Sequence, residues 1–205
     1  MNEKKYKAVL EKLKQGGVRF PIEGGLLIPV SYQYKTEIPD CVHLLNQWRM
    51  QNPGLSPAQV PISDEKTERW LQANILGNDS VVLFMIRNSE GESIGHFGLS
   101  GMNFETNTVR ICAVTRGIKE KCPGIMQTAV EFIKVWCAEQ LEARFADLLV
   151  LSDNSRAISL YTRCGFYVCS IIPLRKAEQN GKISWIEDMF LEKPEKFLLH
   201  MVSVL

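Results

Sequence analysis

Residues 81–115 hold three consecutive strand-like runs joined by hairpin-length links, and no other stretch limits the possible folds as much. VVLFMIR (81–87) is almost wholly apolar and reads as a central strand. SEG (89–91) turns it into ESIGHFGLSGMNF, and ETN (105–107) turns that into TVRICAVT (108–115). Links this short join antiparallel neighbours, so the stretch is a meander.

The pattern then changes period. Ile125, Ala129, Phe132, Ile133 and Trp136 share one face of a long helix from about Ile125 to Leu141. ADLLVLS (146–152) is a buried strand. NSRAISLYTRCG (154–165) is a short helix with Asn154 as its cap, Gly165 beyond its end, and an inward stripe of Ala157, Leu160, Tyr161 and Cys164. FYVCSII (166–172) and KISWIEDMFLE (182–192) are two further strands joined through Asn180-Gly181, and the tail KPEKFLLHMVSVL reads as a last helical turn.

Ahead of the meander, Tyr6, Val9, Leu10 and Leu13 form the apolar stripe of a helix over 3–15, closed by Gly16 and Gly17. VRFPIEGGLLIPV is an irregular connector with short extended pieces. SYQYKTE (31–37) alternates as a strand does. Pro39 opens a helix to about Met50 with Val42, Leu45 and Trp48 on one face, Asn52 to Pro61 is a loop, and Ser63 caps a helix to about Leu76. From residue 31 the order is β, α, α, β, β, β, α, β, α, β, β. That order predicts an α+β fold with a mixed, mostly antiparallel central sheet flanked by helices. The expected division is an N-terminal helical extension at 1–29 and a main domain at 30–205. The stripe of the helical arm must cover either its own domain or a second subunit, so a homodimer is one of its two outcomes.

Charge and composition narrow the partners. Lys+Arg is 24 against Asp+Glu 23, so no broad field draws the chain to nucleic acid or an anionic membrane. No apolar run approaches the roughly 20 residues of a membrane span. The first residues, MNEKKYKAVLEKLKQGG, lack the apolar core of a signal peptide, so a cytoplasmic protein is expected. Cys41, Cys112, Cys122, Cys137, Cys164 and Cys169 make no CxxC pair, and His43, His96 and His200 lie far apart. The expectation is free thiols and no metal.

The segment 117–126 presents backbone N–H groups at a helix start, a position that attracts phosphate, with Lys119 and Lys121 adding positive charge. Spacing alone fits an ordinary strand-to-helix turn equally well. LLVLSDNSRAISLYTRCGF (148–166), however, resembles the GNAT superfamily of N-acetyltransferases, with Asn154, Ala157, Tyr161, Gly165 and Phe166 in register. VRICAVTRGIKEKCPGIMQTAVEFI (109–133) resembles that superfamily's acyl-CoA pyrophosphate loop. It departs in having Lys121 and Met126 where Gln or Arg and Gly or Ala are usual, and in a longer run between Gly117 and Pro123. The likeness spans residues 31–192.

The resemblance implies an acyl-CoA N-acyltransferase fold and transfer of acetyl from acetyl-CoA, as co-substrate, to a primary amine of a small molecule, without a covalent enzyme intermediate. Lys121 and the amides of Gly124, Ile125 and Met126 are then expected at the pyrophosphate. The Val114 N–H would polarise the thioester carbonyl, Asn154 would fix the splay of the strands, and Tyr161 would return a proton to the leaving thiolate. Each residue also has a purely structural use: Tyr161 as core, Asn154 as a helix cap, Gly124 as a helix start. For the general base, His96, Glu187 and Asp188 are the available candidates. Arg110 is either an anion contact or a plain edge charge, and Cys112 and Cys122 are taken as structural because no paired histidine is identifiable. The loop from Arg116-Gly117 to Met126 is similar to enzymes that acetylate amino groups of nucleotide-linked sugars, and WRMQNPG (48–54) and ERWL (68–71) are similar to the branch that acetylates protein N-termini and small amines. A catalytically inactive CoA- or ligand-binding protein is the remaining alternative.

Overall fold

The computed structural model of the protein describes residues 1–52, 63–179 and 182–205. Its strands are β1 (Phe20–Ile22), β2 (Gly25–Pro29), β3 (Val81–Asn88), β4 (Ser93–Asn103), β5 (Thr108–Arg116), β6 (Phe145–Leu151), β7 (Tyr167–Gln179), β8 (Lys182–Glu187) and β9 (Lys196–Val204). The helices are α1 (Glu3–Lys14), α2 (Tyr34–Glu37), α3 (Cys41–Gln51), α4 (Asp64–Trp70), α5 (Ile125–Leu141) and α6 (Ser155–Arg163), with α4 running on as a π-helical segment at Leu71–Leu76. All the strands lie in one sheet, in the order β1-β2-β3-β4-β5-β6-β9-β7-β8.

The almost wholly apolar β3 is buried on both faces, as its composition requires. Val82, Phe84 and Ile86 enter one core with α1 and α5, while Leu83 and Met85 enter a second core with α2, α3 and the π-helical segment. β3, β4 and β5 form the expected antiparallel meander. α5 then crosses over so that β6 lies parallel to β5, but only Thr108–Arg110 pair with Phe145–Asp147.

The strand expected over 182–192 ends at Glu187, with a turn over 188–191, and three further stretches differ from the sequence expectation. Residues 31–37 do not form a strand. The Ser31 hydroxyl accepts from the Gln33 N–H and donates to Glu37 at 2.5 Å, closing a turn into α2, and the buried pair Tyr34 and Ile38 follows helical spacing. The 17–29 connector contains a regular hairpin, β1–β2, which extends the sheet beyond β3. The tail is not helical: β9 inserts between β6 and β7 and pairs with both, so long-range ladders override the helix-compatible run Leu198–Met201. The expected Ser63 cap is present, its hydroxyl accepting from the Lys66 N–H at 3.3 Å. The loop expected at 52–61 and the Asn180-Gly181 link fall almost wholly outside the described residues.

The N-terminal helix is tied to the sheet. Tyr6, Leu10 and Leu13 lie in the first core, and fully buried Lys14 donates to the carbonyls of Ile75 at 2.8 Å and Asn78 at 2.5 Å. Those carbonyls end the π-helical segment, where a cation is favourable.

Candidate active site

The pairing of β5 with β6 stops at Arg110 and Asp147. Among the described residues, β5 beyond that point pairs only with β4, and β6 only with β9. Two diverging parallel strands leave a wedge walled by backbone groups without sheet partners, which an amide-bearing ligand can satisfy. β5 also bulges there. His96 pairs with Thr115 and Gly98 with Cys112, so Ala113 and Val114 together oppose Phe97, and Ala113 takes a left-handed φ of 51°. Val114 therefore lies where the ladder breaks.

The wide end of the wedge is closed by the loop between β5 and α5. The N–H groups of Gly117 and Ile118 donate to the Ile94 carbonyl at 2.9 and 3.1 Å, which pins the start of the loop. The Arg116 guanidinium donates to the carbonyls of Ile118 at 3.1 Å, Lys119 at 3.2 Å and Cys122 at 3.2 Å, and to that of Lys121. Gathering four carbonyls on one cation leaves the amides of Lys119, Glu120, Lys121, Cys122, Gly124 and Met126 without a protein acceptor among the described residues. Cys122 at φ 51° and Gly124 at φ 91° are left-handed, and such residues bend successive amides into a concave anion site. Gly124 is the N-cap of the 17-residue α5, whose dipole adds to the same site.

The residues expected at the pyrophosphate separate into two groups. The Gly124 and Met126 amides are free, whereas the Ile125 N–H is already bonded to the Cys122 carbonyl at 3.3 Å. The Lys121 ammonium is held by Glu92 at 2.6 Å, so this residue offers its amide to the loop while its charge is paired.

Trp48 braces the loop from the other side. A Cβ on Gly117 would lie 1.9 Å from the Trp48 indole, so only glycine fits there. The indole stacks on His96, with ring centroids 5.9 Å apart. Burial pushes His96 down to about 4, against a weaker opposing hydrogen bond to the Ala113 backbone, and its Nδ1 has no partner among the described residues. A histidine this acidic when protonated is a poor acceptor for an ammonium proton.

Tyr161 projects from α6 into the first core, 5% exposed and edge-on to Phe166. Burial, reinforced by Cys164 and Cys112, raises the pKa of its phenol, so it stays protonated throughout the neutral range. The Asn154 side-chain carbonyl accepts from the Ala157 N–H at 3.2 Å, which is a capping bond, while the Asn154 N–H donates to Leu151 at the end of β6. Burial also raises the Cys112 thiol, which keeps it a neutral thiol beside the bulge.

On the opposite sheet face from α5, Arg110 is not a plain edge charge. It grips Asp147 through Nε at 3.1 Å and Nη2 at 2.5 Å, and His200 Nε2 lies 2.9 Å from the same carboxylate. Asp188 pairs with Arg175 at 3.2 Å and caps the Phe190 N–H, whereas Glu187 is exposed and near enough to Arg110 to raise its pKa, behind the larger effect of Asp147. The sequence reading missed Arg116, Asp147 and His200 as site residues. The available signals were a lone carboxylate inside the apolar run ADLLVLS and a lone histidine inside the apolar tail.

Residues 33–167 match the family model described as acetyltransferase (GNAT) domain. Among solved structures, the chain is similar to a ribosomal L7/L12 alpha-N-protein acetyltransferase in complex with coenzyme A, at 15% identity and a TM-score of 0.67, covering 92% of this chain and 98% of that one. It is also similar to a spermidine N-acetyltransferase from Vibrio cholerae in complex with CoA and spermine, at 15% identity and a TM-score of 0.62, covering 87% of this chain and 94% of that one. Among curated proteins no match is found.

Proposed function

The chain belongs to the GNAT acetyltransferase family and is an acyl-CoA-dependent N-acetyltransferase, and we propose that its acceptor is the primary amine of a small molecule. The observation that carries the site assignment is the loop organised by Arg116, with free amides at the start of α5 directly above the β5–β6 wedge. In this reading the pyrophosphate of acetyl-CoA rests on the amides of Lys121, Gly124 and Met126, and the pantetheine arm runs down the unpaired edge of β5. The bulge at Val114 supplies the N–H that polarises the thioester carbonyl, where negative charge develops during attack. Asn154 contributes by fixing α6, and so Tyr161, against the end of β6.

The chemistry is direct displacement. The neutral amine attacks the thioester carbon, the carbon–sulfur bond breaks, and the sulfur leaves with its electron pair. Tyr161 donates its proton to that sulfur and recovers one from the amine nitrogen as the amide forms. The burial that raises the phenol pKa also raises the basicity of a thiolate in the same surroundings, so the transfer stays matched.

The acceptor lies on the face that bears Arg110, Asp147 and His200, beside the apolar group of Leu151, Leu174, Leu198 and Trp185. Exposed Glu187 suits a cationic amine, Asp147 being already paired with Arg110, and the flanking apolar side chains suit a short carbon skeleton. The test is mass spectrometry of acetyl-CoA reactions with a panel of polyamines, amino sugars, nucleotide-linked amino sugars and peptides with free N-termini. Acetylation of a small amine is expected. Acetylation of peptides alone replaces small amines with protein N-termini, and acetyl-CoA binding with no product from any amine indicates a non-catalytic protein.

A further inference from the structure

The direct displacement above needs a neutral amine, yet a primary amine arrives as an ammonium near pH 7. Among the sequence candidates for the base, His96 is sealed behind Trp48 with its pKa held down near 4, and Asp188 is committed to Arg175. Glu187 is exposed at the end of β8.

A different group stands at the apex of the wedge. Arg110 and Asp147 are the last paired residues before β5 and β6 separate, and His200 pairs in register with Leu149, the second residue of β6 beyond that point. Val109, Ile111, Ala146, Leu148 and Met201 face α5, so strand alternation puts Arg110, Asp147 and His200 together on the acceptor side. The Asp147 side chain is 9% exposed and is met by both Arg110 nitrogens and by His200 Nε2. A carboxylate held in this way fixes the imidazole with its proton on Nε2, leaving the Nδ1 lone pair free as an acceptor. His200 is 27% exposed, and its Nδ1 has no partner among the described residues.

We propose that His200, oriented by Asp147, is the general base that removes the proton from the incoming ammonium. The inference rests on the acetyltransferase reading above. Nδ1 takes one proton from the ammonium, leaving the nitrogen lone pair free to attack, and the imidazolium passes that proton to solvent. The second proton lost by the nitrogen is the one that Tyr161 recovers, so the overall reaction releases one proton. His200 touches the substrate and is the catalytic residue; Asp147 is a positioning residue, and Arg110 holds Asp147 in turn. The titratable or charged groups facing His200 are Asp147 from β6, Arg110 and Cys112 from β5, Tyr167 from β7 and, past Arg110, Glu187 from β8.

The experiment measures acetyl transfer to the best amine of the panel against pH, alongside acetyl-CoA binding by calorimetry, for the wild type, His200→Gln and Asp147→Asn. His200→Gln is expected to bind acetyl-CoA normally, to lose roughly 10²–10⁴-fold in kcat/KM at pH 7, and to lose the histidine limb of the profile. Asp147→Asn should bind acetyl-CoA normally and lose kcat with little change in KM, because the imidazole is no longer held with its proton on Nε2. Should these variants fail to bind acetyl-CoA, His200→Ala with added imidazole provides the second reading, with a rate that rises with imidazole. Transfer by His200→Gln at the wild-type rate and pH profile, or His200→Ala unresponsive to imidazole, overturns the base assignment and leaves the acetyltransferase intact. A wild type that acetylates no amine overturns both.

Discussion

Gly117 and Trp48 meet so closely that a single added Cβ would lie 1.9 Å from the indole. This contact joins α3, on the acceptor side, to the first residue of the loop assigned to the pyrophosphate, and the same indole covers His96 beside the β5 bulge. Gly117→Ala must therefore push Trp48 aside. Overpacking of this kind costs about 1–3 kcal/mol. The expected outcome is a lower Tm together with weaker acetyl-CoA binding; a variant with unchanged Tm and affinity would show that the contact does not organise the loop.

Arg116 is expected to act on coenzyme binding through the carbonyls it gathers. Lysine carries the same charge but lacks the planar fork that reaches four acceptors. Arg116→Lys should weaken acetyl-CoA binding about ten- to hundredfold while the far-ultraviolet circular dichroism stays unchanged. Lys121→Ala should cost much less, because the Lys121 ammonium is already paired with Glu92. Calorimetric titration of the two variants in parallel checks the order, and equal losses would contradict it.

Tyr161→Phe separates proton donation from packing. The ring remains in the core with Phe166, so stability and coenzyme affinity should change little. Turnover should fall by roughly 10²–10⁴-fold. Steady-state kinetics with the best acceptor decides the point, and unchanged turnover removes the phenol from the chemistry.

Burial of neutral His96 makes stability depend on pH in a defined direction. The unfolded histidine titrates near 6.5 and the folded one near 4. Between these values the unfolded chain binds the extra proton, so stability is fully present above pH 6.5 and falls as the pH drops to about 4. The total loss is about 3 kcal/mol, at 1.4 kcal/mol per pH unit. Urea denaturation at a series of pH values should reveal this slope in the wild type and its absence in His96→Asn; equal slopes would assign the dependence to other groups.

What the sequence disclosed follows from the range of the interactions involved. α5 begins and ends as its periodicity predicts, and Asn154 and Ser63 cap as expected, because caps and stripes depend on neighbours in the chain. The strand character of β9 comes from two partners, β6 and β7, which its own residues do not announce. Residues 31–37 show the opposite case, since Ser31 and Glu37 close a turn whose alternating polarity imitates a strand. The motif residues Tyr161 and Asn154 were legible from register alone. Arg116 was not, because its role lies in reaching back over its own loop, and Asp147 and His200 meet only after β9 has inserted.

The central claim is that acetyl-CoA binds in the wedge between β5 and β6 with its pyrophosphate on the Arg116-organised loop. Calorimetric titration of the full chain with acetyl-CoA tests it most directly. The account predicts one site per chain with a Kd below about 1 mM, weakened strongly in Arg116→Lys. Absence of binding at sub-millimolar coenzyme, or binding indifferent to Arg116, would contradict it.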